Sequence, residues 1–247
     1  MKNRWPKIKE WILNYYSDLI VIAIVSSVLL IVVYRFIAPP FTILMINRSL
    51  SSFDKELHYR WVDFEDMSES IKVCAMASED QNLPFHFGFD LVAISKAIDV
   101  NSRSKKTFGA STITQQVAKN VFLFPQRSII RKALEVYFTF WIEVLWPKER
   151  ILEMYLNVAE MGDMIFGIEA ASREYFKKPA SKLSLNEAAL IISILPNPRK
   201  YNVKAPGPYV QRRQKQIISL FYSLDGSNYL RELYLKSEKP LYNFNKY

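Results

Sequence analysis

Leu19–Tyr34 reads LIVIAIVSSVLLIVVY, sixteen residues without a charge. No other stretch narrows the options of this chain so far. A run of that kind either fills the core of a large domain or lies in lipid. It is slightly shorter than the ~20 residues that span a bilayer. Its flanks complete the second reading. Trp11, Tyr15 and Tyr16 sit where an interfacial aromatic belt belongs, and Arg35 can snorkel at the far end. A cleaved signal peptide is the competitor. Its apolar core is usually shorter, and Phe36-Ile37-Ala38 is not a small-x-small cleavage site. The reading is a retained anchor over 19–38, after a short N-terminal segment, 1–18, and before an outer domain, 39–247. Lys2, Arg4, Lys7 and Lys9 stand against one acid, Glu10, on the amino side. The positive-inside rule therefore puts the N-terminus in the cytoplasm and the domain on the outer side of the membrane.

The outer part is long enough for one domain with a real core. Cys74 is the single cysteine, set in the apolar IKVCAMA, so no internal disulfide and no thiolate metal site can form. His58 and His86 are the two histidines, too few for a multi-histidine metal centre. A net charge of +9 fits nucleic acid, an anionic membrane surface or a phosphorylated substrate. An anchored, outward-facing domain would not meet nucleic acid, so that partner is set aside.

Periodicity and capping signals predict helices almost throughout. One covers Asp66–Ser78, with Asp66 as N-cap and Glu69 in a capping box. Another covers Val92–Asp99, followed by a polar basic loop, Asn101–Phe108. Gly109 opens an amphipathic helix that Pro125 ends. A long helix over about Ser128–Trp146 carries Ile130, Leu134, Tyr137, Phe138, Trp141 and Leu145 as a stripe that reads as core. Pro147 starts the next helix, Met161–Gly167 is a turn, and Ile168–Phe176 is helical. Ser184 and Glu187 form a capping box for a helix that stops at Pro196. A last helix covers Tyr209–Tyr222, and the tail from Asp225 gives no clear reading. Phe36–Ile46, broken by Pro39-Pro40, is either membrane-hugging or the first buried piece of the domain. Strand alternation is almost missing, so the outer domain is expected to be all-α.

Within this frame the charges are not evenly spread. From Val100 to Leu134 there is no acidic residue, while Arg103, Lys105, Lys106, Lys119, Arg127, Arg131 and Lys132 fall in the same window. Gln115 and Lys119 are four apart and share a helical face, and Arg127, Arg131 and Glu135 repeat the spacing. Hydroxyls stand just ahead at Ser111, Thr112 and Thr114. Such a surface suits a ligand with several anionic oxygens, phosphate above all; the bland alternative is a solvated basic helix pair. Upstream, Glu79 and Asp80 close a helix, where the macrodipole disfavours negative charge. Leu83, Phe85, Phe87 and Phe89 add apolar cover. Both effects disfavour the ionised carboxylate and point to a general base, against an ordinary acidic pair before a turn. Ser102-Arg103-Ser104-Lys105 matches S-x-x-K by chance, since no partner motif follows.

SEDQNLPFHFGFD, GASTITQQVAKN, RKALE, RILEMYLN and LNEAALIISILPNP, in this order, resemble the motifs of the family 51 glycosyltransferases. The resemblance covers about Val73–Tyr201. Leu83 stands where the first motif usually has Phe, and Gly109-Ala110 where the second often has Gly-Gly. The size and single anchor are similar to the monofunctional branch; the chain ends too soon for the transpeptidase domain of the bifunctional one.

The resemblance implies a lysozyme-like, two-lobed α-helical fold and the polymerisation of lipid II into peptidoglycan strands. The growing strand and lipid II are then the partners, with the membrane and, as an option, other cell-wall synthesis proteins. The family's base falls on Glu79 and its second glutamate on Glu135, which either orients cations or assists the leaving group. Lys119 and Arg127 match the positions that hold the donor pyrophosphate, and Arg131 and Lys132 line the same region. Ser111, Thr112, Gln115 and Gln116 would bind sugar and phosphate oxygens, and Asp80 the loop or the acceptor. His86 and Asp90 match the first motif and read as structural; Glu153 and Asn157 match the fourth and read as packing groups. No cofactor is required; a divalent cation, Mg or Mn, on the pyrophosphate is the one option left open, without a dedicated cage. A membrane-anchored muramidase and a non-catalytic wall scaffold are the alternatives. The first would need no cationic window, the second neither glutamate.

Overall fold

In a computed structural model of the chain, residues 5–103 and 111–238 are described, with side chains from 15 to 103 and from 111 to 235. Lys105, Lys106, Gly109 and Ala110 lie outside the described residues. The chain divides into two units, Met1–Pro39 and Pro40–Tyr247.

The first unit is one helix, α1 (Trp5–Phe36). Its apolar part, Tyr15–Phe36, is 22 residues long with a mean hydropathy of 2.6, and almost none of it is buried. At 1.5 Å per residue that is roughly 33 Å, the thickness of a bilayer core. The helix is thus long and apolar enough to cross a membrane, and it extends the apolar segment beyond the sixteen uncharged residues.

The second unit is all-α, as expected, apart from three very short strands. Its helices are α2 (Ile43–Ser51), α3 (Glu69–Glu79), α4 (Leu91–Arg103), α5 (Ile113–Phe122), α6 (Ile129–Leu145), α7 (Lys148–Val158), α8 (Ile168–Phe176), α9 (Leu185–Ser193), α10 (Pro208–Ser223) and α11 (Leu230–Glu238). The centre is α3 and α7. In α3 every residue from Ile71 to Ala77 is buried, and α7 is buried from Ile151 to Val158. Helices α9 and α10 pack on α3, and α5 packs on both α6 and α7. Cys74 lies in this core, where burial pushes its thiol up to about 12. Leu83, at the position where Phe is usual, is fully buried.

Caps set the helix starts. Asp66 closes a short 3-10 turn, and the N-cap of α3 is Ser68, whose hydroxyl accepts from the Ile71 N–H. The cap expected at Asp66 thus lies two residues early: Ser68 also offers a hydroxyl, and the turn before it uses up Asp66. The Ser184–Glu187 capping box of α9 is present as expected. Pro147 is the N-cap of α7 rather than its first residue. The tail, which carries no clear signal in sequence, supplies a 3-10 turn, Gly226–Tyr229, and α11, which packs on α7 with Leu230 and Leu233 buried.

Two departures have physical causes. The expected turn at 161–167 is a hairpin: β2 (Glu160–Gly162) pairs antiparallel with β3 (Ile165–Phe166), and β1 (His58–Tyr59) adds parallel to β3. Two-residue strands carry no alternation to read. Gly167 ends the hairpin at φ 83°, and a Cβ there would lie 2.5 Å from the Asn157 carbonyl oxygen. Gly167→Ala should lower the domain's stability by about 1–3 kcal/mol from backbone strain alone, read as the unfolding midpoint in detergent; an unchanged midpoint would show that the turn relaxes.

The second departure is α6. Four members of its stripe, Tyr137, Phe138, Trp141 and Leu145, are only half-buried. Ile130 is 74% exposed and Leu134 43% exposed, whereas Glu135, Thr139, Ile142 and Glu143 are buried. Glu135, Thr139 and Glu143 are spaced by four, so one polar face turns inward. Glu135 and Glu143, both ion-paired, share that side with Ile142, and the predicted stripe is left half-buried or exposed. Helix α4 has no buried residue and exposes Leu91, Val92, Ile98 and Val100.

Candidate active site

Glu79 is the last residue of α3, so the core helix delivers its carboxylate to the surface of a cleft. Its Oε1 accepts from the Ser78 hydroxyl at 2.9 Å and from the Arg213 guanidinium at 3.2 Å. Its Oε2 accepts from the Gln116 amide at 3.3 Å. Arg213, on α10, carries no signal in the sequence; 134 residues separate it from Glu79, and no local pattern links the two.

Asp80 follows as the C-cap of α3 and is buried. Its carboxylate accepts from the Ile113 N–H at 2.9 Å and meets His86 Nε2 at 2.9 Å. It therefore ties the end of α3 to the start of α5, and both its oxygens are engaged. These contacts hold the loop in position, and Asp80 also lines the smaller cavity. Thr112 and Gln115 are likewise occupied. They form the capping box of α5, and the Thr112 hydroxyl donates to the Gly88 carbonyl at 2.7 Å. They close a helix end whose N–H groups need partners, and each also lines a cavity, Gln115 the larger and Thr112 the smaller. Gly88 has φ 75°, and a Cβ there would collide with Thr139, so the loop can lie on α6 only as glycine. Asp90 accepts from the Ala93 N–H and from Asn82, a structural cap as expected. Asn157 and Glu153, on α7, hold the backbone of Val62 and Phe64.

The cation window is built by α5 and the start of α6. A cavity of about 430 Å³ is lined by Ser111, Gln115, Gln116, Lys119, Arg127, Arg131, Lys132 and Glu135, with Tyr155 and Glu160 also on its wall. Arg127 lies before Ser128, the N-cap of α6, so it does not share a helical face with Arg131 as the spacing suggests. Arg131 and Glu135 do share one. Glu135 is buried and holds Arg131 at 2.8 Å, with Lys132 on its other oxygen. Glu160 is engaged by Arg48 at 2.9 Å. Lys119 and Arg127 have no carboxylate partner among the described residues. Burial pushes the Lys119 ammonium below its usual range; Glu135 opposes this and Arg131 adds to it. An incoming anion would favour the charged ammonium, as Glu135 does.

A second cavity, about 290 Å³, is lined by Ser78, Glu79, Asp80, Asn82, Asp90, Lys96, Ser111 and Thr112, among others. Ser111 borders both cavities. Gln116, on the wall of the first, donates to Glu79, on the wall of the second. A carboxylate and a cluster of cations thus stand on two sides of one glutamine. Among the described residues no group of three or more His, Cys, Asp or Glu could hold a metal ion.

A buried polar cluster supports this floor, and nothing in the residue spacing announces it. Lys148 donates to Glu143 at 2.7 Å and to the His86 carbonyl at 2.7 Å, and Thr114 donates to Glu143 at 2.6 Å. It joins α5, α6, α7 and the loop after Glu79.

An acid at a helix end beside a cation-lined cavity is a site for group transfer from an anionic leaving group. Residues 47–221 match the family model described as Transglycosylase, and the chain belongs to that family. A protein of Xylella fastidiosa (strain 9a5c) named biosynthetic peptidoglycan transglycosylase is 45% identical over 232 residues, covering 92% of this chain and 93% of that one. Proteins of the same name from Bdellovibrio bacteriovorus and Xanthomonas campestris pv. campestris (strain B100) are 45% and 46% identical. They cover 89% and 83% of this chain, and 88% and 86% of their own lengths.

Proposed function

We propose that the protein polymerises lipid II into peptidoglycan glycan strands, as a monofunctional glycosyltransferase. One observation carries this reading: Lys119 and Arg127 line a cavity with no carboxylate partner among the described residues, one glutamine away from Glu79. The donor's undecaprenyl pyrophosphate lies in the larger cavity. The acceptor's GlcNAc 4-hydroxyl comes from the side of the smaller one. Glu79 takes the hydroxyl proton, the oxygen attacks the anomeric carbon, and the C–O bond to pyrophosphate breaks. The α-linkage inverts to β-1,4. Lys119 and Arg127, with Arg131 and Lys132, receive the charge that develops on the leaving group. Stabilising such charge commonly accelerates a reaction more than any other device in an active site. Glu135 orients Arg131 and Lys132. A divalent cation, if engaged, would be carried by the pyrophosphate oxygens. A muramidase would gain nothing from these cations.

The membrane reading rests on α1 and on the exposed apolar side chains of α4 and α6. The N-terminus lies in the cytoplasm and the catalytic domain in the periplasm, where those side chains meet lipid. The direct test is incubation of the full chain with lipid II in detergent, with products sized on a gel. Growing strands support a transferase; shortening of wall fragments alone supports a hydrolase. Lys119→Ala should slow strand growth about 100-fold with an unchanged circular dichroism spectrum. A collapsed spectrum would make Lys119 structural instead.

A further inference from the structure

We propose that Arg213 is a positioning residue for Glu79, fixing the rotamer in which one carboxylate oxygen is left for the acceptor's proton. The inference rests on Glu79 being the base. Three observations support it. The Arg213 Nη2 bridges the Ser78 hydroxyl at 2.9 Å and Glu79 Oε1 at 3.2 Å. The Ser78 hydroxyl itself donates to the same Oε1. One oxygen of Glu79 is therefore held by two donors, while Oε2 has, among the described residues, only a long contact with Gln116 at 3.3 Å. An oxygen held by two donors is the poorer proton acceptor, and the carboxylate must use the other one.

The side chains are partly covered, with 25% of Arg213 and 16% of Glu79 exposed, so the pair is not a loose surface contact. Glu79 sits at a helix end and would otherwise have several rotamers. Arg213 comes from the middle of α10, a 16-residue helix packed on α3 and α9. Its backbone is thus tied to the same helix that ends at Glu79. Displacing a reacting group by about 1 Å commonly costs about 100-fold. This is the size of effect expected from losing the guanidinium.

The test uses the full chain in detergent with lipid II. Arg213→Met keeps the aliphatic stem and its packing but removes the donors. It should lower kcat about 100-fold while KM changes less than about threefold. Arg213→Lys, which keeps the charge and one donor group, should recover about tenfold of that loss, and guanidinium added to Arg213→Ala should recover part of it. Arg213→Met with kcat within about twofold of the unmodified chain overturns the inference, as does a loss confined to KM. Should Arg213→Ala fail to fold, Arg213→Met decides alone. Glu79→Gln run beside them separates the two readings. A fully active Glu79→Gln removes the base assignment itself. An inactive one with a fast Arg213→Met removes only the role given to Arg213.

Discussion

Glu79→Gln leaves the fold in place and slows glycan-strand growth by about 10²–10⁴-fold, the usual contribution of a positioned general base. The amide has nearly the same size and can still meet Ser78 and Gln116, so the end of α3 is not disturbed. What it cannot do is take the proton from an attacking hydroxyl. The loss should therefore appear in kcat, with donor affinity little changed, because the cations of the neighbouring cavity are untouched. Lipid II consumption in single time courses, together with circular dichroism, measures both. Near-normal polymer output would mean that the proton leaves by another route. The cleft would then keep its cations, but Glu79 would be a bystander.

Glu143→Ala has the larger effect on stability, about 3–5 kcal/mol, because it leaves a buried ammonium without its counter-ion. Lys148 and Glu143 are both nearly fully buried, with side-chain exposures of 7% and 1%. Lys148 keeps the His86 carbonyl, but one carbonyl does not replace a carboxylate. Thr114 also loses its acceptor. The cluster joins four pieces of the domain, so the consequence reaches the site: the loop after Glu79 and the start of α5 would loosen together. The unfolding midpoint in detergent measures the first effect and strand growth at low temperature the second. A double replacement, Glu143→Leu with Lys148→Met, should cost less than Glu143→Ala, since removing both charges leaves none buried alone. A double change that costs more than the single one would point to packing rather than charge.

Much of the site is legible in residue spacing. Glu79 at a helix end, the acid-free window and the Arg131–Glu135 pair all depend on neighbours within one or two turns, and local geometry alone brings these together. The capping boxes are equally local. Where structure and spacing disagree, the cause is shared. Thr112, Gln115 and Asp80 look like free polar groups in a string of letters, but each satisfies a backbone N–H at the start of α5. Arg127 leaves the face it would share with Arg131 because Ser128 caps α6 and keeps Arg127 outside the helix. The apolar stripe on α6 suggests core, since apolar residues usually point inward. Here buried charge takes the inward side, and nothing local signals it.

By itself, then, the order of residues determined the long apolar helix, the helical class, the acid at the end of α3 and the sign of the charge that lines the cavity. These follow from hydrophobic runs, caps and charge spacing, which act over a few residues. Only the tertiary structure decided which side of α6 is buried, which polar groups are already taken, and that Arg213 reaches Glu79 across 134 positions. Those outcomes come from the packing of α3, α6, α7 and α10, where contacts are made between segments that carry no trace of each other in the sequence.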